Sequence, residues 1–60
     1  MKIDSNKLYK VKKYTAKTSS DCGVLSGEDV NNILKGYKYD DLLDMWFSKK
    51  ANIGYSVEEC

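Results

Sequence analysis

The chain has 60 residues, with ten lysines, nine acidic residues and neither arginine nor histidine, and its formal net charge is +1. A chain of this length forms one small domain, residues 1–60, that buries only about 60% of the surface its unfolded state exposes, so its stability is marginal. No apolar run is long enough for a bilayer span or a signal peptide, so the sequence predicts a cytoplasmic protein that does not enter a membrane.

Charge is distributed unevenly along the chain. Residues 1–17 contain six lysines and one aspartate, whereas residues 18–60 contain four lysines and eight acidic residues. The basic first part could bind nucleic acid, contact the acidic second part, or serve only solubility, and these interpretations stay open. Because arginine is absent, the planar donor that reads guanine edges is missing, which disfavours sequence-specific base recognition.

The first predicted element is a strand over residues 7–17, KLYKVKKYTAK. The segment is rich in tyrosine, valine and threonine, which favour strands, but lysines fall on both of its faces. This pattern indicates an edge strand, or a strand with a bulge that switches faces partway. Residues 1–6 lie outside every predicted element, and whether they are disordered stays open.

A turn and a short helix are predicted next. Residues 18–23, TSSDCG, are dense in turn formers and predict a hairpin connection, after which Val24 and Leu25 form at most a short strand. Ser26 is a suitable N-cap and Gly36 a suitable stop, so a helix is expected between them. Its apolar stripe consists of Val30, Ile33 and Leu34.

A second helix is predicted from Tyr39 or Asp40 to Lys49 or Lys50, with an aspartate cap. Its apolar side chains span an arc of about 200°, whereas a helix on one sheet buries a stripe of a little over 100°. The excess either packs against the first helix or forms a surface for a partner, because aromatic residues and methionine are enriched at interface centres. The predicted partner-binding residues are Tyr37, Tyr39, Asp40, Asp41, Asp44, Met45, Trp46 and Phe47.

The chain ends in a predicted strand in which Ile53, Tyr55 and Val57 alternate with small or polar residues. We expect this strand to pair with the first one. The predicted fold class is therefore α+β, a small single domain with the element order β-(β)-α-α-β, in which two helices pack on one face of a short antiparallel sheet.

Several functions are disfavoured by what the sequence lacks. Two short helices joined at a glycine have the connectivity of a helix-turn-helix, but aspartates at the start of the second helix would repel DNA. Without histidine, the usual general base near neutral pH is missing, and neither thiol has a partner to activate it. Cys22 and Cys60 match no zinc framework and are expected to be reduced thiols. The sequence thus predicts no enzyme activity, no metal and no cofactor.

Nucleic-acid binding without sequence preference is retained as an alternative. Lysines and tyrosines are interleaved in the first strand, as on surfaces that hold phosphates and stack bases. The residues of this alternative site are Tyr9, Lys10, Lys12, Lys13 and Tyr14.

The preferred prediction is a non-enzymatic protein-binding module. The abundance of lysine, asparagine and tyrosine, together with the absence of arginine, histidine and proline, resembles the composition of short proteins of bacteriophages and mobile elements from AT-rich hosts. That resemblance implies a small inhibitor or modulator that binds a larger host protein in the host cytoplasm and blocks it sterically. The same aromatic patch could instead serve a homodimer, which would relieve the marginal size.

Overall fold

The computed structural model describes residues 2–60, which form one five-stranded antiparallel sheet and one short helix. The elements along the chain are β1 (Leu8–Tyr14), β2 (Ser19–Ser26), α1 (Gly27–Ile33), β3 (Lys38–Asp40), β4 (Met45–Ser48) and β5 (Ile53–Glu59). Across the sheet the order is β2-β1-β5-β4-β3, so β1 and β5 are neighbours. The predicted pairing of the first strand with the last is confirmed. The helix found in residues 2–60 lacks the length and apolar character of a membrane span.

The predicted fold class is wrong, because the second helix does not form. The segment predicted as that helix is instead the hairpin of β3 and β4, in which Tyr39 pairs with Trp46 and Asp40 with Met45. Strand β4 also pairs with β5, where Trp46 lies opposite Tyr55. Tryptophan, phenylalanine and tyrosine favour strands, and here both edges of β4 find a partner. The molecule is therefore mostly β, with the order β-β-α-β-β-β.

The edge-strand interpretation of β1 is also wrong, since β1 lies between β2 and β5. A bulge does occur, but it belongs to β2. Val11 pairs with Gly23 and Lys12 with Asp21, which leaves Cys22 without a partner residue in the ladder. Strand β2 is longer than predicted and includes most of the segment assigned to a turn.

The first helix is confirmed, with its start at the predicted cap and its end at Ile33, two residues before the predicted end near Lys35. The Ser26 side chain accepts a hydrogen bond from the Asp29 backbone N–H at 3.3 Å, as an N-cap should. The helix ends at Ile33, and Gly36 adopts a left-handed φ of 83° in the turn that follows. The cap residue and the glycine were therefore sufficient to predict this helix from the sequence.

The core lies between the helix and one face of the sheet, which we call the covered face. Tyr9 and Val11 of β1 are almost fully buried on this face, at 2% and 1% exposure. The complete set of buried apolar residues is Ile3, Tyr9, Val11, Val30, Leu34 and Val57. The side chains that alternate with these along β1 point to the opposite side, the open face, on which neither α1 nor the other described segments pack as a layer.

The segment before β1 packs on the covered face. Ile3 is part of the core, and the Asp4 backbone N–H donates a hydrogen bond to the Tyr9 hydroxyl at 2.8 Å. Gly27 lets this segment approach the helix closely, because a Cβ there would overlap the Asp4 carbonyl oxygen. The sequence left open whether residues 1–6 are disordered. Of these residues, Met1 lies outside the part of the chain that the structure describes.

Candidate functional site

Most of the predicted partner-binding residues lie in the hairpin of β3 and β4, at the end of the sheet farthest from β2. Its loop, residues 41–44, is the hairpin tip. The Asp40 carboxylate accepts hydrogen bonds from the backbone N–H groups of Leu42 at 2.9 Å and Leu43 at 3.3 Å. Asp44 closes the loop in a left-handed conformation with a φ of 52°, which aspartate tolerates better than most residues. Four-residue loops of this kind are common hairpin connections.

The hairpin tip exposes two consecutive leucines. Leu42 is 97% exposed and Leu43 is 63% exposed. The flanking Asp41 and Asp44 are exposed as well. The loop backbone is held by Asp40, so these leucines are presented on a braced turn. The sequence prediction missed both leucines as site residues because it placed them inside a helix packed on the sheet.

Tyr39 ties the tip to the strands that carry it. Its ring packs against Trp46 with a centroid distance of 5.2 Å and an interplanar angle of 54°. Its hydroxyl donates a short hydrogen bond to Asp44 Oδ1. This bond to the carboxylate, together with desolvation and the negative charge of Asp44, raises the pKa of Tyr39 to about 12. The two ends of the loop are thereby joined through a side chain as well as through the backbone.

The predicted aromatic patch is divided between the two faces of the sheet. Trp46 is half-buried on the covered face, where Tyr37 and Tyr55 also pack against the core, with their rings 5.4 Å apart. Phe47, the next residue along β4, projects to the open face and is 38% exposed. Met45 and Phe47 both lie over Gly54, since a Cβ at that glycine would come within 3.0 Å of the Met45 methyl group. The indole Nε1 of Trp46 is buried without a hydrogen-bond partner among residues 2–60.

A hollow of about 670 Å³ lies beside the hairpin. Phe47 and Leu42 contribute apolar surface to it, while Asp40 and Asp41 lie towards the tip and Lys38 lies farther back on β3. Lys49 and Lys50 also line the hollow, so the site joins an apolar projection to a rim of mixed charge that is acidic only at the tip. Such a surface offers no nucleophile activated by a base, and its chemistry is that of contact and charge.

The alternative nucleic-acid residues do not form one surface. Tyr9 is buried in the core and cannot stack on a base. Lys10, Lys12 and Tyr14 lie on the open face, whereas Lys13 shares the covered face with Tyr9, because alternate residues of a strand point to opposite sides. The alternation of lysine and tyrosine in sequence therefore places only three of the five residues together.

Within residues 2–60, no group of three or more cysteines and carboxylates is arranged to hold a metal ion. Cys22 and Cys60 are both exposed as free thiols. Comparisons of the chain with protein-family models, with curated proteins and with solved structures found no match.

Proposed function

We propose that the chain is a non-enzymatic protein-binding domain that docks through the hairpin tip and sterically blocks the surface of the larger protein it covers. The observation that supports this proposal is the nearly complete exposure of Leu42 on a loop whose backbone is braced by Asp40. An isolated exposed leucine is ordinary in a protein surface. Two adjacent leucines at the end of a braced hairpin are better explained as contact residues.

Burial of the two leucines at the tip would supply part of the free energy of binding. Full burial of a leucine side chain is worth about 1.5–3 kcal/mol, so burial of Leu42 and Leu43 would contribute roughly 3–5 kcal/mol. Because the loop is already held by Asp40 and by the bond between Tyr39 and Asp44, little ordering is required on binding. Preorganisation therefore lowers the cost of ordering the loop, which is one of the costs that the contacts must offset on binding.

The chemistry of the tip defines the partner surface. The leucines require an apolar pocket, and Asp40, Asp41 and Asp44 around them favour a rim of lysine or arginine on the partner. Nucleic acid is a poorer ligand for the same surface, since the carboxylates repel phosphates. Burial of Tyr9 also weakens the nucleic-acid alternative at β1.

The test is affinity capture from a nuclease-treated lysate of the source cell, with the wild-type chain, with Leu42→Ser/Leu43→Ser, and with Ile33→Ser as a matched control. Ile33 is an exposed apolar residue on α1, away from the hairpin. We expect wild type and control to retain one protein in stoichiometric amount even in about 1 M salt, where the Debye length is about 3 Å. The tip variant should lose it, and the captured protein's own activity should fall when wild-type chain is added.

Two results would contradict the proposal. One is capture that the tip variant retains in full, since the contact would then lie elsewhere. The other is recovery of nucleic acid in an untreated lysate together with no retained protein after nuclease treatment. Circular dichroism of each variant confirms that the comparison is made between folded chains.

A further inference from the structure

The open face of the sheet carries apolar side chains that the chain itself leaves exposed. Leu8 is 55% exposed and Val24 is 53% exposed, and the strand pairing places them on the same side as Tyr14 and Phe47. The helix and the segment before β1 pack on the opposite side. The domain thus has two layers, the sheet and the helix, and the open face of the sheet has no covering layer.

The surface area of the chain is larger than its mass predicts. A folded monomer of 6.8 kDa is expected to expose about 3,950 Å² by the scaling of surface with mass, whereas this chain exposes 4495 Å². The excess is roughly 550 Å². A standard interface buries about 800 Å² on each partner, so covering the open face would both remove the excess and form an interface at the small end of that class.

The charged side chains of the open face are balanced in sign, and among residues 2–60 none of them forms an ion pair. Lys10 lies between Val24 and Glu58 in the ladder, and Lys12 lies opposite Asp21. Yet the ion pair between Lys7 and Glu59, at 2.9 Å, is the one salt bridge among the described residues. With Lys38 and Asp40 of β3 included, three lysines and three carboxylates lie on this face, and they suit a partner that carries the same arrangement. A polyanion would meet the carboxylates as well as the lysines.

We infer that the occupant of the open face is a second copy of this chain. Two open faces pack against each other around a two-fold axis as a β-sandwich, with the sheets about 10 Å apart. Leu8, Val24 and Phe47 supply the apolar contacts, and lysines of each copy meet the carboxylates of the other. A hollow of about 420 Å³ between Lys12, Val24 and Glu58 can accept a side chain from the partner copy. The hairpin tip, residues 41–44, lies outside these contacts, so the proposed docking of a larger protein through the tip uses different residues, although Phe47 of the adjoining hollow is shared.

A charge-swap experiment tests the dimer. Lys10→Glu/Lys12→Glu makes the open face predominantly acidic, with Lys38 retained, and Glu58→Lys makes it predominantly basic. Asp21 is left unchanged because its carboxylate accepts the Gly23 N–H at 2.8 Å and supports the bulge. Lys49→Glu/Lys50→Glu is the matched control, since it changes the net charge by the same amount in the turn between β4 and β5.

Molar mass is measured by analytical ultracentrifugation over a concentration series. We expect wild type and the control to dimerise with a dissociation constant of about 10–100 µM, in keeping with a small interface. Each charge variant alone should weaken the dimer at least tenfold, and an equimolar mixture of the two should restore it as a heterodimer. Higher salt should reduce the difference between the variants.

Three outcomes would overturn the inference. The first is a wild-type chain that is still monomeric at a chain concentration of about 1 mM. The second is a pair of charge variants that dimerise as strongly as wild type. The third is a mixture of the two variants that stays monomeric although circular dichroism shows that each variant is folded. The Leu42→Ser/Leu43→Ser variant should dimerise normally. Loss of the dimer with retained capture of a larger protein would therefore refute this inference alone, and the converse would refute the proposed function alone.

Discussion

Replacing Val11 with alanine tests which face of the sheet is the core. Val11 is 1% exposed in the centre of the sheet, opposite Val57 and Gly23. The substitution removes two buried methyl groups, worth about 1.6 kcal/mol by transfer, and leaves a cavity that raises the expected loss to about 2.5 kcal/mol. A 60-residue domain has a total stability of only about 3–9 kcal/mol, so this is a large fraction.

Val24→Ala is the matched control, because it removes the same atoms from an adjacent strand where the side chain is half exposed. We expect it to cost less than about 1 kcal/mol. The free energy of unfolding of both variants is measured by urea unfolding, followed by the fluorescence of Trp46, the only tryptophan. The chain concentration is about 1 µM, so that self-association does not contribute to the measured stability. The melting temperature should fall by roughly 10–20 °C for Val11→Ala. Equal losses for the two variants would refute the assignment of the covered face.

Four further outcomes are expected. Gly27→Ala should destabilise the fold by about 1–3 kcal/mol in urea unfolding, because its methyl group displaces the backbone before β1; an unchanged midpoint would contradict this close approach. Tyr9→Phe should cost about 0.5–1.5 kcal/mol in the same assay, since the hydroxyl accepts a backbone N–H; a gain in stability would show that this bond contributes nothing. The ultraviolet titration of Tyr39 should have its midpoint near pH 12, and Asp44→Asn should bring it towards 10. Because the folded pKa is raised, this contribution to stability is complete below about pH 10 and is lost as the pH rises to about 12; a normal midpoint in wild type would refute the hydrogen bond. Leu42→Ser should change stability by less than about 0.5 kcal/mol, as expected of an exposed loop residue, and a larger loss would mean that the tip packs on the fold.

The error over residues 39–50 has a specific physical origin. Asp40 was predicted to accept backbone N–H groups as a helix cap, and it does accept those of Leu42 and Leu43. A helix cap and a tight loop use the same bonds in their first turn, so the local signal does not distinguish them. The chain reverses at Asp44 because β4 can pair with both β3 and β5. That pairing joins residues distant in sequence and is not encoded by any local pattern.

The prediction of a helix also gave a wrong grouping of the partner-binding residues. A helical projection groups Trp46 and Phe47 on one side, whereas a strand sends adjacent residues to opposite faces. The predicted patch is thus divided, with Trp46 beside the core and Phe47 on the open face. The acidic residues stayed together because Asp40, Asp41 and Asp44 are close in sequence, so both a helical turn and a tight hairpin keep them near one another.

The sequence by itself determined the features that depend on neighbouring residues. These are the Ser26 cap and the glycine that follows α1, the alternating C-terminal strand, and the absence of histidine and arginine from the available chemistry. The tertiary structure alone decided that the second half forms a hairpin, that the leucines at its tip are exposed, and that one sheet face has no covering layer. Caps and alternation are set by local hydrogen bonds and side-chain direction, whereas strand order and exposure follow from long-range pairing of the whole chain.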